Sequence, residues 1–150
     1  MNSNIIIRQA ENSDLETLAE LFNAYRMFYQ KEYDLVLSRN FISERIKKQD
    51  STIFIAITNN NIVGFTQLYP IFSSLSAQKA WILNDLYIIP EARKSGAATN
   101  LIKHSIEFCR TQEAGWISLQ TAKTNAQAQR LYEKIGFKQD NKYLSYVLPL

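Results

Sequence analysis

The 150-residue sequence has one cysteine, Cys109, and one histidine, His104. The first excludes an internal disulfide and a cysteine-rich metal site. The second leaves no histidine cluster to hold a metal, so metal-free chemistry is expected. Only three prolines and four glycines are present, and repeats and low-complexity tracts are lacking. No apolar run approaches the ~20 residues of a transmembrane helix. The opening MNSNIIIRQAENSD lacks a basic region followed by a long apolar stretch, so no secretory signal is expected and a cytoplasmic protein is the natural reading. A net charge of +3 without a dense Lys/Arg stripe argues against nucleic acid, and nothing points to a membrane partner.

An apolar content of 46% with 21% charged residues is that of an ordinary globular protein, and the length suits a single domain over residues 1–150. Ile5–Ile7 reads as a first strand. Ser13-Asp14-Leu15-Glu16 has the form of a capping box, and Leu15, Leu18, Ala19, Phe22 and Tyr25 mark one face of the helix that follows. Ser38 is a candidate cap for a second helix, with Phe41, Ile42, Arg45 and Ile46 on one side. Arg45, Lys47 and Lys48 there complement the helix dipole. Thr52–Thr58 and Ile62–Tyr69 read as a hairpin closed by Asn59-Asn60-Asn61, and residues 70–78 as a polar loop.

The organising stretch is WILNDLYIIPEARKSGAATNLIKHSIEFC, Trp81 to Cys109. It reads as a buried strand ended by Pro90, a basic glycine-containing loop, and a helix with Ala98, Leu101, Ile102, Ser105, Ile106 and Cys109 at helical spacing. A loop of exposed N–H groups opening onto a helix N-terminus favours an anion. It is neither GxxxxGK[ST] nor GxGxxG, which argues against a nucleotide P-loop and a dinucleotide fold. Gly115 is a candidate C-cap for this helix, and residues 116–121 alternate like a strand. Asn125 then opens the helix NAQAQRLYEKIGF, which Gly136 stops. Strands near Phe137 and over Tyr143–Leu148 complete the chain.

Two of these motifs resemble those of the GNAT N-acetyltransferase superfamily. Arg93, Gly96 and Ala98 fill the pattern Q/R-x-x-G-x-G/A of its acyl-CoA loop. Asp85-Leu86-Tyr87-Ile88 with Pro90 resembles its fourth strand, and Asn125, Ala128, Leu131, Tyr132, Gly136 and Phe137 fit N-x-x-A-x-x-L-Y-x-x-x-G-F. The resemblance implies an α+β (mixed α/β) fold: a mostly antiparallel sheet of six or seven strands, about four helices, and a splay between strands 4 and 5. It implies an enzyme that moves an acetyl group from acetyl-CoA, as co-substrate, to a primary amine by direct attack on the thioester.

By the same resemblance, Arg93, Lys94, Ser95, Gly96, Ala97 and Ala98 hold the pyrophosphate. The backbone of Leu86, Tyr87 and Ile88 holds the pantetheine arm, and Asn125 orients that arm or merely caps its helix. Tyr132 is the expected general acid, against simple packing on its helix face. The glutamate that histone-modifying members use as base is absent, Ile82 standing at that position. Asp85 can take the proton directly, take it through water, or bind the cation; the plain alternative is a structural carboxylate. Phe28, Tyr29, Glu32 and Tyr33, with Asp34, would border the acceptor, as cation-holding rings and carboxylates or as packing and solvated charge. The acceptor would be a small-molecule amine or a lysine-bearing peptide. His104 is expected in solvent and Cys109 in the core. A homodimer through the final apolar strand is a further expectation. The alternative to an enzyme is a CoA-binding sensor or an interaction module with the same fold.

Overall fold

The computed structural model describes residues 4–150. The chain forms two compact units, Met1–Gln120 and Thr121–Leu150. The first holds β1 (Ile6–Gln9), α1 (Leu15–Phe28), α2 (Leu35–Lys48), β2 (Thr52–Thr58), β3 (Asn61–Ser73), β4 (Gln78–Ile88), α3 (Ala97–Thr111) and β5 (Ile117–Ser118). The second holds α4 (Ala126–Ile135). The strands form one sheet in the order β1-β2-β3-β4-β5, antiparallel except for the parallel β4–β5 pair. The mixed α/β architecture with four helices matches expectation.

The strand count does not. Among the described residues five strands form, against the six or seven expected, because residues 137–150 lie outside helix and strand. The alternating pattern over 116–121 likewise yields a strand of only two residues, Ile117–Ser118. Both segments have strand-forming side chains, but a strand exists only through its ladder partner, and within the first unit Ile117–Ser118 pairs with β4 alone among the described residues.

Side chains of successive strand residues go to opposite faces. Ile53 and Ile55 of β2 therefore join Leu18, Leu21, Phe22, Ile42 and Phe65 in a core beneath α1 and α2. Phe54, between them in sequence, meets the rings of His104 and Phe108 on α3, 4.6 and 5.4 Å away centroid to centroid. The sheet is thus covered on both faces. His104 is exposed as expected while its ring leans on Phe54, and Cys109 is core. Burial pushes the Cys109 thiol up to about 11.

Several local expectations are corrected. The capping groups are Asp14 and Asp34, not Ser13 and Ser38. Asp14 accepts from the Glu11 N–H at 2.7 Å and from both terminal nitrogens of Arg8, and Asp34 accepts from Leu37 N–H at 2.9 Å. Ser38 instead donates to the Asp34 carbonyl from inside the core. The first strand starts one residue later, at Ile6, and runs on to Gln9. After α3 the left-handed position falls on Glu113, φ 55°, while Gly115 N–H donates to the Lys79 carbonyl. The expected loop 70–78 is mostly sheet: β3 runs through Pro70, opposite Trp81. Proline is tolerated because Trp81 N–H donates away from β3, to Trp116. That makes Pro70–Trp81 a pair that exchanges no hydrogen bonds, and Pro70's missing donor faces the side where β2 has ended. The Asn59-Asn60 turn is as read, with φ of 50° and 63°.

Candidate active site

β4 is paired with β3 over nearly its whole length but touches β5 only at Trp81 and Ile82. From Leu83 to Ile88 its other edge has no strand beside it among the described residues. This open edge is the splay expected between strands 4 and 5. What it exposes is set by a bulge. Asp85 pairs with Gln67 and Leu83 with Leu68, so Asn84 is the extra residue. One inserted residue shifts the alternation of donors by one position. Ile89 N–H donates to the Val63 carbonyl, which makes pairs 63/89, 65/87 and 67/85 the bonded ones. The main-chain groups of Leu86 and the N–H of Ile88 therefore face the open side, and those of Tyr87 face β3. Of Leu86, Tyr87 and Ile88, the first and last can offer backbone to a ligand there.

Beyond Pro90 the chain makes a short 3₁₀ turn, Pro90–Ala92, and enters α3 through Lys94 at φ 61° and Gly96 at φ 92°. A Cβ at Gly96 would meet nothing within 4 Å. The backbone conformation, not crowding, is what asks for glycine there. The first N–H groups of α3 have no intrahelical acceptor, and among the described residues only Ala97 N–H reaches a side chain, Ser95 Oγ at 3.4 Å. Ser95 in turn donates to the Ala92 carbonyl. Arg93 Nε donates to the Ile88 carbonyl at 3.0 Å, and its guanidinium sits 5.7 Å from the rings of both Phe28 and Tyr87. That bond occupies the Ile88 carbonyl and one of the five N–H groups of Arg93. Lys94 and Ser95 are exposed.

Asp85 lies at the bulge, 4% exposed. Its carboxyl accepts from Gln67 Nε2 at 2.7 Å and from Asn84 Nδ2 at 3.1 Å. Ser51 Oγ donates to Gln67 Oε1 at 2.8 Å, so the amide is held with its NH₂ toward the carboxyl. The Tyr25 hydroxyl points at the bulge, 3.4 Å from the Asn84 carbonyl and within reach of the Asp85 carboxyl. No salt bridge to Asp85 occurs among the described residues. Burial without a cation pushes its pKa above the usual carboxylate range, and the hydrogen bonds from Gln67, Tyr25 and Asn84 offset this only in part. Burial and the neighbouring carboxyl raise the phenol of Tyr25 strongly and push that of Tyr69 up to about 12.

Sequence reading singled out Asp85 but not Gln67, Ser51, Tyr25 or Tyr69 around it. The available signal was a glutamine inside an otherwise apolar strand, Ile62–Tyr69, at a position that only the register sets opposite Asp85. Of the residues expected near an acceptor, Phe28, Tyr29 and Tyr33 are exposed, with Tyr29 stacked edge-on against Tyr25 and Phe28. Glu32 is in solvent. Asp34 is committed to capping α2.

In the second unit Asn125 is the N-cap of α4, its side chain accepting from Ala128 N–H at 3.1 Å. Gly136, at φ 122°, ends the helix. The Tyr132 ring is partly buried and lies 6.0 Å from that of Phe137.

A sheet opened beside its fourth strand at a bulge, and followed by a glycine-entered helix, matches the fold expected of the GNAT superfamily. Residues 15–137 match the Acetyltransferase (GNAT) family, and the chain belongs to that family as an N-acetyltransferase. It is 41% identical over 142 residues to the "Uncharacterized N-acetyltransferase YhfO" of Bacillus subtilis, covering 95% of each chain. The crystal structure of a "probable acetyltransferase" superposes with a TM-score of 0.92 at 39% identity, over 97% of each chain. The aminoglycoside N-acetyltransferase AAC(6')-Iy, solved in complex with CoA, shares the fold at a TM-score of 0.84 and 17% identity, over 100% of this chain and 98% of that one.

Proposed function

We propose that the protein transfers the acetyl group of acetyl-CoA to the primary amine of a cationic acceptor, a small-molecule amine or a lysine-bearing peptide. The observation that carries this reading is a buried, cation-free carboxyl, Asp85, set at the bulge from which the open backbone edge of β4 begins. The open edge and the uncapped start of α3 fit an extended ligand that ends in phosphates. Leu86 and Ile88 main chain would hold the pantetheine arm. The N–H groups of Gly96, Ala97 and Ala98, with Arg93, Lys94 and Ser95, would hold the pyrophosphate.

Acetyl-CoA supplies the activated acetyl group, as a thioester. An ammonium acceptor must first lose a proton, and Asp85 takes it, directly or through water. The raised pKa brings the carboxyl nearer that task than an ordinary aspartate. The amine nitrogen then bonds to the acetyl carbon as the C–S bond breaks; Tyr132 gives a proton to the departing sulfur, and the proton shed by the acylated nitrogen passes through water to restore the phenol. Phe28, Tyr29 and Tyr33 offer ring faces to a cation, with Glu32 as counter-charge.

The test is thiol release from acetyl-CoA with polyamines, aminoglycosides, amino acids and lysine peptides. Turnover with at least one amine, lost on Asp85→Asn, is expected. Tight CoA binding without turnover on any of them would favour the sensor reading, and absence of CoA binding would overturn the assignment altogether.

A further inference from the structure

The end of α1, the loop after it and the first turn of α2 carry Met27, Phe28, Tyr29, Tyr33, Val36 and Leu37, each 46–72% exposed. Asn23, buried in α1, holds these elements together. Its NH₂ reaches Met27 Sδ at 3.6 Å, and its Oδ1 accepts from Asp34 N–H at 2.9 Å and from Ser38 Oγ at 3.3 Å. The start of α2 is thereby set beside Met27. Single exposed apolar side chains are ordinary, but several on adjoining turns mark a site of interaction. A chain of rings leads from this surface to the candidate active site. Phe28 meets Tyr29 at 5.3 Å and Tyr29 meets Tyr25 at 5.2 Å, centroid to centroid. Tyr25 Oη in turn lies 3.4 Å from the Asn84 carbonyl, at the bulge that holds Asp85.

Charge decides what can lie there. The Arg93 guanidinium already stands 5.7 Å from the rings of Phe28 and Tyr87, where a ligand cation would go. Arg26 shares a helix face with Phe22 and Tyr29, and its buried Nη1 has no hydrogen-bond partner among the described residues. Neither arginine has a carboxylate within ion-pair distance among the described residues. Of the carboxylates between Met27 and Leu37, Asp34 caps α2 and Glu32 alone stands in solvent. One ammonium is therefore accommodated, at Asp85, and the surface beyond it suits apolar atoms better than further positive charge. We infer that the acceptor is a small primary monoamine carried on an aromatic or aliphatic body, its amine at Asp85 and its body along Tyr29, Phe28 and the first turn of α2. The inference rests on the acetyl-transfer reading above and narrows its acceptor. A polyamine is a poor substrate, because its second charge meets Arg26 and Arg93. So is an α-amino acid, because its carboxylate approaches that of Asp85.

The test compares kcat/KM, by thiol release from acetyl-CoA, for propylamine, hexylamine, phenethylamine, spermidine, phenylalanine and a lysine peptide. Hexylamine and phenethylamine should exceed propylamine by about tenfold or more, since each buried methylene counts, and should exceed the other three by at least as much. Added sodium chloride should narrow the gap between phenethylamine and spermidine, because repulsion between charges is screened. Tyr29→Ser should bring the ratio of hexylamine to propylamine close to one, chiefly by raising KM for hexylamine. Leu37→Ser, at an exposed position, should lower the same ratio and serves should the first variant express poorly. Spermidine or the lysine peptide as best substrate would overturn the inference while acetyl transfer stands, as would a hexylamine preference untouched by both variants. CoA binding without turnover on any amine would overturn both readings.

Discussion

Replacing Asp85 by asparagine should move activity and stability in opposite directions. The carboxyl is 4% exposed and unpaired with any cation among the described residues, so its charged form is costly in the fold. Asparagine can keep its oxygen toward Gln67 Nε2, which now donates at 2.7 Å, and turns an NH₂ toward Asn84, an exposed side chain. The variant loses about one hydrogen bond, near 1 kcal/mol, and sheds a buried charge worth several. A net gain of about 1–2 kcal/mol, or roughly 2–8 °C in Tm, follows at pH 8. Folding raises this pKa, so the cost of the charge is absent below the unfolded value near 3.9, grows through the interval between unfolded and folded values, and is constant above it. The Tm advantage of the variant should therefore shrink steadily as pH is lowered toward 4. Turnover should fall by about 10²–10⁴ if the carboxylate is the base. Paired thermal melts and thiol-release rates from pH 4 to 9 decide it. A variant that is less stable at pH 8, or equally active, would refute the reasoning.

Gln67→Leu should shift the acid limb of the kcat/KM profile to higher pH, because the carboxylate loses its shortest donor. Tyr25, Tyr69 and Asn84 remain around it, and an unchanged profile would show that Gln67 does not position Asp85. Gly96→Val should lower CoA affinity at least tenfold by calorimetry and also cost about 1–2 kcal/mol of stability, since φ is +92° there. An unaltered affinity would contradict the loop assignment. Tyr132→Phe should reduce kcat by about 10²-fold or more with CoA affinity retained; full activity would leave water as the acid. Asn125→Ala should cost about 1 kcal/mol as a lost helix cap, read by chemical denaturation.

Much of this was legible because local chemistry and tertiary outcome agree. The loop from Arg93 to Ala98 announced itself by residue type: a glycine where φ is positive, and small residues at a helix start. Asn125 and Gly136 bracket α4 for the same reason. What was not legible depends on partners distant in sequence. Asp14 displaced Ser13 as the capping group because Arg8, six residues back, fixes its carboxyl. Pro70 lies in a strand because β2 ends beside it, a fact of register and not of local sequence. The surroundings of Asp85 needed both the β3–β4 register and the bulge, since Gln67 and Ser51 lie 18 and 34 residues away in sequence from the carboxyl they help orient.

The extra residue at Asn84 makes the length of its neighbourhood as consequential as its composition. Removing one amino acid between Trp81 and Pro90 would turn the outward amides inward and exchange every side chain beyond the deletion between the two faces of the sheet. The proposed cofactor grip and the proposed proton acceptor would then be lost in a single event, even with all other residues retained. The hairpin tip at Ser74–Ala77, by contrast, can lengthen or shorten without altering that phase. Length variation in this strand pair should accordingly be confined to the tip, while the stretch from the bulge to the proline keeps a constant count.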